Sequence, residues 1–188
     1  MNHLKLLLMS YLLIMVSMLL QFQFIWPAEA VLLSNWSEGP ASLLFLPHGV
    51  KALLIVLLGP VVSIAIAFAH LSTDLLVGVE GERLLFSFSV STLVLLIPML
   101  MFNYVSQRPL LSGVLGSDKG LVSYAQVSRL VFSVALIAAL MNALLNAAWY
   151  SESGVSLLAF RYLLGDILGV LTTLVLWLIG SKWLLKGR

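Results

Sequence analysis

Cysteine is absent from the chain, and charged residues make up only 10% of its 188 residues. Without cysteine, the chain forms no disulfide and offers no thiolate for a metal site or for nucleophilic catalysis. So few charged side chains cannot coat a water-soluble globule of this size. The net charge is +2, and because the basic residues are scattered, it does not indicate nucleic-acid binding. The class that fits these absences is an integral membrane protein.

Long apolar segments make up most of what is present, since 61% of the residues are hydrophobic. The segments run for about twenty residues, the length of a transmembrane helix, and they lack the alternation of apolar and polar residues found in outer-membrane barrels. We therefore predict an all-α fold, a polytopic membrane helical bundle that forms a single domain. Its six predicted spans cover about residues 5–25, 41–58, 60–78, 84–106, 127–150 and 156–185.

Proline and glycine interrupt this pattern at two places. Gly59-Pro60 divides the second span from the third, because proline removes an amide donor and disfavours helix at the residue before it. We predict a tight helical hairpin here, with one kinked long helix as the alternative. Pro47-His48-Gly49 is predicted to break the second span about two turns from its start. Such a break survives in a membrane only where protein or a polar cavity satisfies the freed backbone groups.

Basic residues gather on one side of the six-span topology. They are Lys5, Arg108, Lys119, Arg129, Lys182, Lys186 and Arg188. The loops of the opposite side are acidic, with Arg83 as their only basic residue. Because lysine and arginine near span ends are retained in the cytoplasm, we predict that both termini are cytoplasmic.

The first span has a second interpretation, a secretory signal peptide over residues 1–30. Lys5 precedes a long apolar run, and the small-residue pattern Ala28-Glu29-Ala30 resembles a cleavage site. The apolar core exceeds the usual length of about 7 to 15 residues, however, and Trp26-Pro27 lies directly before the cleavage pattern. We therefore expect the segment to be retained as a membrane anchor.

Lys51 and Asp166 are the only base and acid that lie deep inside the apolar spans. At about 1.5 Å per residue, both lie about 15 Å from the outer face, near the middle of an apolar core about 30 Å thick. A lone charge there costs at least about 2.5 to 3.5 kcal/mol, so each side chain should face the bundle interior. Arg161 shares a helix with Asp166 but is rotated about 140° away from it. We therefore predict that Lys51 is the counter-ion of Asp166.

Other polar residues fall at a similar depth. Asn142 and Asn146 are four residues apart and share a face of the fifth span, and His48 shares a face of the second span with Lys51. The predicted site for a ligand or for a partner protein comprises His48, Lys51, Asn142, Asn146, Arg161 and Asp166. The alternative is structural, in that the charged pair fixes helix register and the asparagines join helices by hydrogen bonds.

Enzymatic interpretations find little support in the chain. Intramembrane aspartyl proteolysis needs two carboxylates in one site, and Asp166 has only the shallow Asp74 as a companion. No serine lies in a Gly-x-Ser-x-Gly setting, and there is no phosphate-binding loop. We expect no catalytic residue and no cofactor. The remaining alternative is that His48 and His70 hold haem or a metal ion.

Two segments resemble the first type of membrane-associated sensor domain. Leu44-Phe45-Leu46-Pro47-His48-Gly49-Val50-Lys51, continued by apolar residues to Gly59, is similar to the apolar-Trp-Pro-x-x-Gly-apolar run that opens that domain. Arg161-Tyr162-Leu163-Leu164-Gly165-Asp166-Ile167-Leu168-Gly169-Val170 is similar to its closing Trp-x-x-Asp-x-x-Gly-x-apolar span. The positions carried across by the resemblance are Pro47, Gly49, Asp166 and Gly169. Gly165 and Gly169 also form a small-xxx-small surface on which another helix can pack.

The resemblance implies a sensory module of the bacterial inner membrane, usually fused to a histidine kinase or a diguanylate cyclase. Members of that family have more spans than the six predicted here, and this chain ends at Arg188 without an output domain. We therefore expect a non-enzymatic sensory or accessory protein in the lipid bilayer, whose basic loop, at about residues 107–126, contacts a separate effector protein. The alternatives are the substrate-binding subunit of an energy-coupling-factor importer and a structural subunit of a larger membrane complex.

Overall fold

The computed structural model of the protein describes residues 3–32, 41–116, 123–150 and 155–186. Within these ranges all regular structure is helical, which confirms the all-α part of the predicted fold class. The first helix, α1, covers His3–Leu20 and continues through a π-helical turn at Gln21–Ile25 into α2, Trp26–Leu32. We call the continuous unit His3–Leu32 the N-terminal helix.

Five further helices follow among the described residues. They are α3 (Leu46–Leu58), α4 (Ser63–Leu76), α5 (Gly81–Val105), α6 (Tyr124–Tyr150) and α7 (Val155–Lys186), with short 3-10 turns at Pro60–Val62 and Val114–Gly116. Four helices in the described part are long and apolar enough to cross a membrane, namely the N-terminal helix, α5, α6 and Leu157–Ser181 of α7. The helix α3, and α4 together with the turn before it, are apolar but shorter.

The short helix α3 lies at the centre of the bundle. It packs on α7, α6 and the N-terminal helix, while α4 packs between the N-terminal helix and α5. Large apolar side chains such as Ile14, Ile55 and Val131 are fully buried between these helices. The outward faces are also apolar, with Phe68 and Leu144 more than half exposed. An apolar surface of this extent is what a helical bundle presents to lipid.

Residues 41–45, which we call the lead segment, are not helical, so the predicted start of the second span at residue 41 is wrong. Helix α3 starts at Leu46 and has Pro47 in its first turn. Proline suits that position, because the first turn needs no amide donor and the ring disfavours helix in the residue before it. Pro47 therefore begins a helix, whereas the sequence analysis placed it as a break two turns inside one.

The turn between α3 and α4 is built on a close backbone approach. Gly59 has φ of 96°, a conformation that favours glycine. A Cβ atom at Gly59 would collide with the carbonyl of Leu111, and one at Gly113 would collide with the backbone of residues 57–59. Asn103 of α5 is fully buried and ties this connection down by donating to the carbonyls of Leu110 and Ser112, both at 2.9 Å. The turn therefore packs directly on the connection between α5 and α6.

Candidate ligand site

The lead segment lies inside the protein, and a carboxylate of the N-terminal helix satisfies its backbone. Glu29 accepts hydrogen bonds from the amide of Leu43 at 3.1 Å and from the amide of Leu44 at 2.8 Å. It also accepts one from the hydroxyl of Ser42 at 2.9 Å. Non-helical backbone at membrane depth persists only with such partners. Glu29, the central residue of the small-residue pattern that resembles a cleavage site, thus holds the chain that leads into α3.

Gln21 supports the start of α3 from the π-helical turn. Its side chain is fully buried. Its Oε1 accepts a hydrogen bond from the amide of Leu46 at 3.1 Å, and its Nε2 donates to Ser42 Oγ at 3.0 Å. A π-helical turn widens a helix locally and is often found at functional sites. Here the widened turn places one amide side chain against the first residue of α3.

Glycines of α7 form the other side of the lead segment. The amide of Phe45 donates to the carbonyl of Gly165 at 2.9 Å. A Cβ atom at Gly165 would collide with the carbonyl of Ser42, and one at Gly169 would collide with the carbonyl of Phe45. A Cβ atom at Gly49 of α3 would in turn collide with the carbonyl of Gly169. The two sequence segments that carry the resemblance to sensor domains therefore pack on each other through glycine.

A cavity of about 550 Å³ lies between the helices. Its lining extends from Val77 and Val79, beside the end of α4, to Leu95 of α5. Leu95 follows the first residue of α5 by about 14 residues, or about 21 Å of helix, so the cavity reaches the middle of the bundle. Its volume falls within the range of about 300 to 1,000 Å³ that is typical of small-molecule sites.

Five of the six predicted site residues line this cavity, and one does not. The five are His48, Lys51, Asn142, Asn146 and Asp166. The sixth, Arg161, is buried behind the lead segment, where its guanidinium donates to the carbonyl of Ala41 at 3.0 Å. Arg161 therefore holds the start of the lead segment against α7 and does not form part of the cavity wall.

Asp166 is the acid of the inner cavity wall and is only 1% exposed. Asn142 Nδ2 donates to its Oδ2 at 2.7 Å, and His48 Nδ1 lies 3.6 Å from the same oxygen. The other ring nitrogen of His48 faces the carbonyl of Ala135 at 3.3 Å. Asn146 donates to the side-chain oxygen of Asn142 at 2.8 Å and so orients that amide. Among the described residues no donor is bonded to Asp166 Oδ1.

Lys51 is the base of the inner wall and is 3% exposed. Its Nζ lies 3.3 Å from His70 Nδ1 and 5.8 Å from the centroid of the Phe45 ring. Because an ammonium group only donates, Nδ1 accepts and the ring hydrogen of His70 lies on Nε2. That nitrogen faces Ser87 Oγ at 3.0 Å and Asp74 Oδ2 at 3.8 Å. A chain of polar contacts thus joins Lys51 to α4 and α5.

The predicted direct contact between Lys51 and Asp166 is not formed. Within the described part of the chain, the nearest polar partner of Lys51 is His70, while those of Asp166 are Asn142 and His48. The physical reason is that each charge has polar neighbours of its own on a nearby helix. Both charges therefore line one cavity without neutralising each other by contact.

The pair proposed as an alternative haem or metal site, His48 and His70, also faces the cavity. Their rings contact different polar partners, Ala135 for His48 and Lys51 with Ser87 for His70. In the residues that the structure describes, no group of three or more histidine, cysteine, aspartate or glutamate side chains is placed to hold a metal ion.

Aromatic side chains complete the wall. They are Phe22, Trp26, Phe45, Tyr150 and Tyr162. Arg83, an exposed residue of the lining, has its guanidinium 5.0 Å from the centroid of the Tyr150 ring, within the range of a cation–π contact. The cavity thus combines charged and polar groups with apolar and aromatic side chains, as small-molecule sites usually do.

Sequence reasoning missed Gln21, Ser42 and Glu29 as residues of the site's support. A glutamine inside an apolar span was the available signal for Gln21. Its partner, the amide of Leu46, lies 25 positions further along the chain and meets Gln21 only in the folded protein.

Comparison with protein-family models, with curated proteins and with solved structures gives no match.

Proposed function

We propose that the protein is a non-enzymatic sensory or accessory protein of the bacterial inner membrane, which binds a small ligand in the cavity and acts through a separate partner protein. The observation that carries the proposal is that Lys51 and Asp166 are both almost wholly buried and line one cavity without contacting each other. Ionisable residues inside membrane spans usually pair with one another or with backbone carbonyls, and they mark substrate or ion sites. These two have hydrogen-bonding capacity left for a bound molecule.

The experiment is affinity purification of the full chain in mild detergent, followed by mass spectrometry of copurifying proteins and small molecules. We expect a stoichiometric small molecule, a membrane or cytoplasmic partner, or both. A preparation that contains neither would overturn the proposal. A Soret band in the same preparation would instead favour haem binding by the two cavity histidines.

The proposed topology has six spans with both termini in the cytoplasm. It is supported by the packing of the α3–α4 turn on the α5–α6 connection, because both then lie on the side to which the basic residues are assigned. The chain has no cysteine, so single cysteines can be introduced without background. We expect Ser112→Cys to react with a membrane-impermeant maleimide only after the cells are opened, and Glu80→Cys, at an exposed position between α4 and α5, to react in intact spheroplasts. Labelling of both from the same side would refute the topology.

We also propose that the N-terminal segment is retained as an anchor. Ile14 and Met18 are fully buried in the core, and Gln21 supports the start of α3. Cleavage after the small-residue pattern would remove all three from the bundle. The intact mass of the purified protein distinguishes the two outcomes.

The proposed effector contact is the basic loop at residues 107–126. Residues 117–122 of this loop, which include Lys119, lie outside the described residues. The described part begins with Gln107 and Arg108 and leads to the segment that packs on Gly59. The contact is therefore continuous with the turn that ends α3, the helix that carries His48 and Lys51.

A second candidate, transport, is favoured by one observation. Helix α3 is short and is preceded by non-helical chain held by Gln21 and Glu29, and many transporters bind substrate beside such interrupted helices. Copurification with a transmembrane coupler and paired ATPases, and uptake of the copurifying molecule into proteoliposomes by that complex, would support this function over sensing.

A further inference from the structure

We infer that the ligand of the cavity is a small dipolar ion, a molecule that carries both an ammonium group and an oxyanion, as free amino acids do. The inference rests on the proposed function and gives the chemical class of the molecule that occupies the site. It is drawn from the two buried charges, from their unused hydrogen-bonding capacity and from the shape of the cavity.

The first step concerns capacity. A lysine ammonium group has three hydrogens to donate, and among the described residues only His70 Nδ1 lies within hydrogen-bond distance of Lys51 Nζ. A carboxylate has two acceptor oxygens. Asn142 donates to Oδ2 of Asp166, and no described residue donates to Oδ1. The cavity therefore offers spare donors at Lys51 and a spare acceptor oxygen at Asp166.

The second step concerns charge. Besides Lys51, the cavity lining contains Arg83 as a cation, and besides Asp166 it contains Asp74 as an anion. Two formal charges of each sign leave the wall balanced. A ligand with only a negative charge would be attracted by Lys51 but repelled by the carboxylate of Asp166. A ligand with only a positive charge would be attracted by Asp166 but repelled by Lys51.

An uncharged apolar ligand fits less well. It would displace water from Lys51 and Asp166 without replacing the lost hydrogen bonds, and buried ions without partners are strongly unfavourable. A molecule that bears both charges satisfies both groups at once. Its uncharged body would lie against the aromatic part of the wall, such as Phe22 and Tyr162.

The same chemistry occurs in two sources, free amino acids and the headgroup of a zwitterionic lipid. The test uses the purified full chain in mild detergent, and it follows binding by tryptophan fluorescence during thermal unfolding and by native mass spectrometry. The probes are the standard amino acids, short-chain phosphatidylethanolamine, and phosphatidylglycerol of the same chain length. The best amino acid is then compared with its decarboxylated amine and its deaminated acid.

If the ligand is an amino acid, we expect it to bind at least tenfold more tightly than its decarboxylated amine and its deaminated acid. If the ligand is a lipid headgroup, we expect phosphatidylethanolamine to bind at least tenfold more tightly than phosphatidylglycerol. Preference for an amino acid or for phosphatidylethanolamine identifies the source. Equal binding of a singly charged analogue would overturn the inference, and so would failure of every dipolar probe to bind. These comparisons use the unaltered chain, so they do not depend on the folding of any variant.

Two substitutions assign the groups. Lys51 would bind the carboxylate of the ligand, so in Lys51→Met the decarboxylated amine should bind as tightly as the amino acid. Asp166 would bind the ammonium group, so in Asp166→Asn the deaminated acid should bind as tightly as the amino acid. The matched controls, Lys5→Met and Glu82→Gln, alter exposed residues outside the cavity lining. They should leave the affinity of the amino acid relative to the amine and to the acid unchanged. If affinity purification yields a purely anionic or apolar small molecule, the dipolar assignment fails while the proposed function stands. If it yields neither ligand nor partner, the proposed function itself fails.

Discussion

Replacing Glu29 by alanine should destabilise the protein strongly, although the residue lies in a stretch that resembles a signal-peptide cleavage site. Its carboxylate is the acceptor for the amides of Leu43 and Leu44. Without it, the amide of Leu43 loses its acceptor, and the amide of Leu44 keeps only its longer contact to Ser42 Oγ at 3.2 Å. At about 1 to 3 kcal/mol for a stranded donor, the free energy of unfolding should fall by about 1 to 3 kcal/mol. Glu29→Gln keeps one side-chain oxygen as an acceptor and should cost about half as much.

The assay is unfolding of the purified variants in detergent, followed by circular dichroism and by the fluorescence of the tryptophans. The matched control is Glu80→Ala, because Glu80 is exposed and makes no side-chain cap to α5. Surface substitutions of this kind usually change stability by less than about 0.5 kcal/mol. If Glu29→Ala were as harmless as Glu80→Ala, water would be able to satisfy the lead segment. The argument that this carboxylate holds non-helical chain inside the bundle would then be refuted.

Two further predictions concern α7. Gly169→Ala should cost about 1 to 3 kcal/mol of unfolding free energy, because the added Cβ atom would collide with the backbone of the lead segment. A Cβ atom at Gly180 would meet no atom within 4 Å, so Gly180→Ala should be neutral or slightly stabilising. Equal effects at the two glycines would contradict the close approach. In double-mutant cycles, Asp166→Asn should couple to Asn142→Ala by about 0.5 to 3 kcal/mol of unfolding free energy and more weakly to Lys51→Met. Stronger coupling to Lys51→Met would indicate a direct contact between Lys51 and Asp166 and would contradict the structure.

Much of the helical architecture could be predicted from the sequence, because apolar runs of transmembrane length leave few alternatives. The predicted ends of the last four spans lie within about three residues of α4, α5, α6 and α7, a usual uncertainty for helix ends. Lys51 and Asp166 do line one cavity, but the equal depth assigned to them counted residues 41–45 as helix, which they are not. Their lack of direct contact could not be predicted, because it depends on His70 and Asn142, which reach them from other helices.

The lead segment shows where local reasoning ends. Residues 41–45 are apolar or small and compatible with helix, so composition extends the second span through them. Their actual conformation is decided by Glu29, Gln21 and Gly165, which are distant in the chain. The local signal was Pro47, which fits the first turn of a helix better than its interior.

The meeting of Gly59 and Gly113 has a mechanical consequence. Because no side chain separates the two backbones, there is no soft layer between them to absorb a displacement. Helix α3 cannot slide along its axis toward that end of the bundle without pushing the loop. Under the proposed function, a shift of α3 caused by a molecule bound at His48 and Lys51 would therefore be transmitted directly to the connection between α5 and α6.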